Sequence, residues 1–124
     1  MAKILIVDDS SMSRRILRNI LEAEANDVIE AADGMSALEM YFLHKPDVVL
    51  LDLIMKGLYG IEVLKTLRRM DINARVIVAS ADIQSSSRQM AETEGALAFV
   101  TKPFVAEEIV KAVSAAIKEP KPCS

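Results

Sequence analysis

The sequence predicts an α/β domain: a parallel five-stranded sheet wound on both faces by five helices. Three observations predict it. Five short aliphatic runs recur along the 124 residues. Between them lie stretches whose apolar residues repeat at helical spacing. Three of the runs are continuously apolar, as expected of strands covered on both faces of a parallel sheet. Strict β-α alternation in so short a chain implies right-handed crossovers. The flavodoxin-like, doubly wound strand order 2-1-3-4-5 is the commonest arrangement of such units, and a TIM barrel needs about twice the length.

The elements follow in order. KILIV (3–7) is the first strand, and Met12, Ile16 and Ile20 with Leu17 and Leu21 stripe the helix after it. DVIEAA (27–32) is more polar than the other runs and reads as a sheet edge. Asp33-Gly34 then punctuates the chain before a helix with Leu38, Tyr41 and Phe42 on its apolar face, closed by Lys45-Pro46. DVVLL (47–51) is the third strand, followed by a helix striped with Ile61, Leu64 and Leu67. RVIVA (75–79) is the fourth. The segment after it, Ser85 to Glu94, offers the core Met90 and Ala91 and little else, so this helix is weakly anchored. AFVT (98–101) precedes a last helix in which Ile109, Val110, Val113, Ala116 and Ile117 recur at i, i+1, i+4, i+7 and i+8. The domain is expected to span 1–118. In the remaining tail, EPKPCS (119–124), two prolines forbid a helix.

Composition excludes several function classes. Net charge is −3 without a basic block, so the electrostatic footprint of a DNA-binding protein is missing. Arg14, Arg15 and Arg18 share one short stretch, which reads as a solvated helix face. No apolar run approaches the ~20 residues that span a membrane. MAKILIVDD is too short and too acidic for a signal peptide. The single cysteine, Cys123, cannot form an internal disulfide, and the expected location is the cytoplasm.

Chemistry concentrates at the strand ends. In open α/β sheets, ligands bind at the carboxyl ends of the strands, where the strand order reverses. The first strand leads into Asp8-Asp9, the third into Asp52, the fourth into Ser80 and the fifth into Lys102-Pro103. Each has an ordinary reading when taken singly: Asp9 or Ser10 as a helix cap, Ser80 as a hydroxyl bonded to backbone, Lys102 as a surface lysine. Asp52 resists one, because VVLLDLIM (48–55) sets seven apolar residues around it, and an unpaired buried carboxylate costs several kcal/mol. Taken together, three carboxylates, a hydroxyl and an ammonium converge on one sheet edge. Clustered carboxylates repel unless a cation joins them. All-oxygen ligation suits Mg²⁺, with Mn²⁺ as a substitute, and the absence of nearby Cys or His argues against zinc. A carboxylate beside Mg²⁺ can act as a nucleophile and form an aspartyl phosphate. Asp52, at the tip of the central strand, fits that role, with Lys102 neutralising phosphoryl oxygens and Ser80 bonding one of them.

The motifs ILIVDDS (4–10), VVLLDLIM (48–55), VIVASA (76–81) and FVTKPF (99–104), in this order and spacing, resemble the receiver domain of two-component response regulators, of the stand-alone CheY-like type. The resemblance covers residues 3–118. It implies Asp52 as phosphoacceptor, Asp9 and Asp52 as direct Mg²⁺ ligands, the Ile54 carbonyl as a third and Asp8 as a ligand through water. Lys102 pairs with the phosphoryl group, Ser80 is the switch hydroxyl and Phe99 the switch aromatic. The Lys102-Pro103 bond is expected to be cis. A histidine kinase supplies the phosphoryl group, and the domain, otherwise not an enzyme, catalyses its own phosphorylation and dephosphorylation. The implied output is a protein–protein signal through the fourth helix, fifth strand and last helix of a monomer, with no DNA contact and no membrane insertion. Chemotaxis is the first expectation, and a phosphorelay intermediate or a regulator of another partner the second.

The chain also departs from the family pattern. Lys56 stands where proline is common, Tyr59 where aspartate is common, and Phe99 lacks a tyrosine hydroxyl. Ile54 and Asp82 occupy the positions flanking the phosphoryl group, where side-chain chemistry bears on dephosphorylation rate. Two rivals fit less well. A haloacid-dehalogenase-type phosphatase needs D-x-D-x-T after the first strand, where this chain has DDSSM. A small flavoprotein needs aromatics to flank its flavin, and only five are present.

Overall fold

The strands form because their aliphatic residues can be buried on two faces at once. A computed structural model describes residues 2–55, 60–81 and 85–118. Within it, β1 (Lys3–Val7), β2 (Asp27–Ala31), β3 (Val48–Leu51), β4 (Val76–Ser80) and β5 (Ala98–Thr101) alternate with α1 (Ser11–Glu22), α2 (Gly34–His44), α3 (Gly60–Met70), α4 (Ser85–Thr93) and α5 (Ala106–Lys118). The sheet is parallel throughout, in the order β2-β1-β3-β4-β5. This is the flavodoxin-like, CheY-like arrangement expected from the sequence, with polar β2 at an edge.

The two-residue period of the strands divides the core into two layers. Leu5, Val7, Val49, Leu51, Val76 and Val78 face α2, α3 and α4, meeting Ala37, Tyr41, Val63, Leu64, Leu67 and Ala91. Ile4, Ile6, Val48, Leu50, Ile77 and Ala79 face α1 and α5, meeting Leu17, Leu21, Ile109, Val113 and Ala116. Each large aliphatic side chain fully buried in this way is worth about 1.5–3 kcal/mol relative to exposure. Ser10 caps α1 by accepting from the Ser13 amide, and Asp33 caps α2 by accepting from the Ser36 amide. The α1 cap is therefore Ser10 and not Asp9.

Several expected core residues face solvent instead. Met12, Ile16, Phe42, Met90 and Ile117 are exposed. Four of them adjoin a buried residue: Leu17, Tyr41, Ala91 and Ala116, respectively. Neighbours on a helix point about 100° apart, so a narrow contact with the sheet buries one and leaves the other outside. With Met90 exposed, Ala91 is the one residue α4 places in the core among the described residues, which accords with its expected weak anchoring. Among the described residues, no helix is long and apolar enough to cross a membrane. Lys56, Tyr59, Asp82 and the 119–124 tail lie outside the described residues.

Candidate functional site

Strand register builds the site. Val7 pairs with Leu51 across β1 and β3, so the next residues, Asp8 and Asp52, emerge side by side, and the Asp52 amide donates to the Val7 carbonyl at 2.9 Å. Ser80 pairs with Thr101 across β4 and β5, which brings Lys102 to the same edge. Ser80 is the last residue of β4, within the ladder, rather than the first beyond it. The Lys102-Pro103 bond is cis, as expected.

Asp52 is buried, and its oxygens are held from three sides. Oδ1 accepts from the Ser80 hydroxyl at 2.8 Å and from the Ile54 amide at 3.0 Å. Oδ2 accepts from Lys102 Nζ at 3.1 Å. Asp8, also buried, accepts from the Ser10 amide at Oδ1 (2.9 Å), while Oδ2 lies 2.9 Å from Lys102 Nζ. That second contact is an ion pair without hydrogen-bond alignment, so Asp8 Oδ2 has no hydrogen-bond partner among the described residues. Burial pushes the Asp8 carboxyl above its ordinary range, and the nearby Asp52 charge adds to the rise; the Ser10 amide and the Lys102 ammonium offset only part of it. For Lys102, burial works against the charged form, but its contacts with Asp8 and Asp52 outweigh that and hold it above the ordinary lysine value.

Asp8, Asp9 and Asp52 each offer a carboxylate oxygen, all within 4.8 Å of one another. Asp9 is exposed, so the cluster opens to solvent on that side. A trio of carboxylates with no sulfur or imidazole donor suits a hard divalent cation, and the unaligned oxygen of buried Asp8 is a further acceptor. Mg²⁺ fits these residues. The Ile54 side chain is exposed beside the site, and its amide is committed to Asp52.

Gly60 holds the chain close after β3. Its amide donates to the Leu53 carbonyl at 3.1 Å, and a β-carbon there would collide with both the Asp52 carbonyl oxygen and the Leu53 α-carbon. Because both obstacles are backbone, Gly60→Ala is expected to displace the segment carrying Asp52 and to destabilise the fold by about 1–3 kcal/mol. Chemical denaturation measures the loss, and an unchanged midpoint would refute the contact.

Phe99 is half-buried on β5 against the α2–α4 layer, with the Arg88 guanidinium of α4 4.6 Å from its ring centroid. One residue that is not legible in the sequence, Arg14, also serves the site. Arg14 and Arg18 were expected on a solvated face, yet only Arg15 of the three is exposed. Arg14 Nε pairs with Glu30 on β2 at 2.9 Å, and its Nη1 donates to the Asp8 carbonyl at 2.8 Å. Arg18 takes the other Glu30 oxygen at 2.5 Å. Burial works against the Glu30 charge, but the two guanidinium groups outweigh it and hold the carboxyl below its ordinary range. A carboxyl depressed on folding contributes stability above its unfolded pKa and loses it as pH falls through the folded value. Glu30→Gln is therefore expected to cost stability at neutral pH and to approach wild type as pH falls below the ordinary glutamate range, as thermal melts would record.

The fold agrees with comparison to known proteins. The response regulator receiver domain model matches residues 4–114, and the chain belongs to that family. Among its relatives, the chemotaxis protein CheY of Halobacterium salinarum is 37% identical over 115 residues, covering 92% of this chain and 96% of that protein. Sporulation initiation phosphotransferase F of Bacillus subtilis is 40% identical over 111 residues, 90% of each chain. Among solved structures, Vibrio cholerae CheY4 matches with a TM-score of 0.89 at 28% identity, covering 94% of this chain and 98% of that one.

Proposed function

We propose that this receiver accepts a phosphoryl group from a histidine kinase onto Asp52 and relays it as a change in protein–protein contacts. One observation carries the reading: a single buried carboxylate at the tip of the central strand is reached by both the Ser80 hydroxyl and the Lys102 ammonium. An Asp52 oxygen attacks phosphorus, the nitrogen–phosphorus bond of the donor histidine breaks, and its electron pair stays on the imidazole. Lys102 moves from bridging two carboxylates to neutralising phosphoryl oxygens. Mg²⁺, held by Asp9, Asp52 and the Ile54 carbonyl with Asp8 through water, would supply further neutralisation of the charge on the transferring group. Water attack on phosphorus later restores the Asp52 carboxylate and releases phosphate.

Ser80 needs little movement to follow the phosphoryl group, since its hydroxyl already bonds Asp52. Phosphorylation adds about −1.5 to −2 charge. Shifting a two-state equilibrium from 1:99 to 99:1 needs about 5.5 kcal/mol, and two charge-assisted hydrogen bonds of roughly 1.5–3 kcal/mol each supply most of it. The rearrangement would reach Phe99 and α4, which places only Ala91 in the core among the described residues. The partner would therefore read α4, β5 and α5 of a cytoplasmic, monomeric receiver. Chemotaxis is the favoured output, supported by the CheY relatives, and phosphorelay is the second reading, supported by the 40% identity to the sporulation phosphotransferase. Incubation with phosphoramidate and Mg²⁺ should label the chain with one phosphoryl group that hydroxylamine removes. Steady turnover of a small phosphate ester without labelling would overturn the reading.

A further inference from the structure

We propose that Arg14 is a positioning residue for the cation site, acting through the peptide that joins Asp8 to Asp9; the inference rests on the function proposed above. The two carboxylates hang from the α-carbons at either end of that peptide. Asp8 is fixed independently: its amide donates to the Ala31 carbonyl at 3.2 Å, and its Oδ1 accepts from the Ser10 amide. The direction in which Asp9 leaves the chain depends on the tilt of the peptide plane between them. Arg14 Nη1 sets that tilt by donating to the Asp8 carbonyl at 2.8 Å.

Arg14 can do this because it is itself pinned at two points. Its backbone amide donates to the Ser10 carbonyl in the first turn of α1. Its Nε is held by Glu30 Oε1 on β2, and Arg18 holds the other oxygen of the same carboxylate. A guanidinium is planar, so fixing Nε also fixes where Nη1 points. Lysine has a single nitrogen and cannot satisfy Glu30 and the Asp8 carbonyl with that geometry. The chain therefore carries a brace running from β2 through Arg14 to the acidic pair.

Arg18 provides a matched control. It shares Glu30 and clips α1 to β2 in the same way, yet its remaining donors go to Glu22 and the Val28 carbonyl rather than to Asp8. Mg²⁺ titration by calorimetry on the full chain, comparing wild type, Arg14→Gln, Arg14→Lys and Arg18→Gln, separates the two roles. Supporting groups of this kind shift metal affinity by 10–100-fold, so both Arg14 variants are expected to bind Mg²⁺ about tenfold more weakly. Arg18→Gln should stay near wild type while losing comparable thermal stability. The ¹⁵N shift of the Asp9 amide, the nitrogen of the braced peptide, should move in the Arg14 variants and not in Arg18→Gln. Arg14→Lys bears the comparison if Arg14→Gln does not fold. The inference is overturned if a folded Arg14 variant binds Mg²⁺ like wild type, or if Arg18→Gln loses as much affinity. Wild-type protein that binds no Mg²⁺ would instead overturn the function proposed above, and the brace with it.

Discussion

Asp52→Asn is expected to reduce phosphoryl incorporation from phosphoramidate at least roughly a thousandfold, while the protein stays folded. The amide has the carboxylate's shape, so its oxygen can still accept from the Ser80 hydroxyl and the Ile54 amide, which meet Oδ1 in the native site. The new NH₂ faces Lys102, where Oδ2 now accepts. That exchange loses an ion pair but also removes a charge that pushes the Asp8 carboxyl upward. The two effects oppose each other, so stability should change by only about 1 kcal/mol in either direction. Nucleophilicity has no such compensation, because a neutral amide offers phosphorus no anionic oxygen. Mass spectrometry of the labelled chain, paired with a thermal melt, reads both results. Labelling at the wild-type rate would move the nucleophile elsewhere, with Asp8 and Asp9 the nearest carboxylates.

The site was legible in the sequence because strand ends in a parallel sheet are a one-dimensional signal. Once KILIV and DVVLL are read as adjacent strands, the residues that follow them must meet, and Val7 opposite Leu51 brings Asp8 beside Asp52. The same logic carried Ser80 and Lys102. Burial on helices was harder to read. Ile16 and Leu17 are equally apolar and consecutive, and only the docking angle of α1 decides that Leu17 goes inside. Phe42 beside Tyr41 shows this again, with a polar twist: the buried residue is the one whose hydroxyl reaches Asp71, at 2.8 Å. The Arg14–Glu30 contact was invisible for another reason. It joins a helix to an edge strand sixteen positions away, and charged residues at such a separation leave no periodic trace. A basic cluster on a predicted helix looks solvated until the neighbouring strand is in place.

Lys102→Met should produce the largest stability change at the site, and one that a divalent cation reverses. In the native arrangement a single ammonium lies 2.9 Å from Asp8 Oδ2 and 3.1 Å from Asp52 Oδ2. Methionine keeps an unbranched side chain of similar length near Phe104, whose ring lies 5.9 Å from the native ammonium, so the change isolates charge from packing. Removing one partner of a buried ion pair costs about 3–5 kcal/mol. The Lys102 side chain is 22% exposed, and solvent there reduces the expected loss to about 2–3 kcal/mol. The sign of the pH dependence follows from Asp8. Its carboxyl is already raised by burial, and losing the ammonium raises it further. A carboxyl raised on folding costs stability while it is ionised and is relieved as pH falls through its folded value. The gap between variant and wild type should therefore be widest near neutrality and narrow in acid. Mg²⁺ should raise the variant's melting temperature more than the wild type's, since no ammonium competes for the carboxylates. At a concentration of 100 times its dissociation constant the ion stabilises by about 2.7 kcal/mol, similar to the deficit. Phosphoryl transfer should nonetheless stay low, because stabilising the metal-free pocket does not replace the donor aimed at the phosphoryl oxygens. A Lys102→Met protein that melts like wild type without added cation would show that Asp8 and Asp52 do not depend on this lysine for their charge.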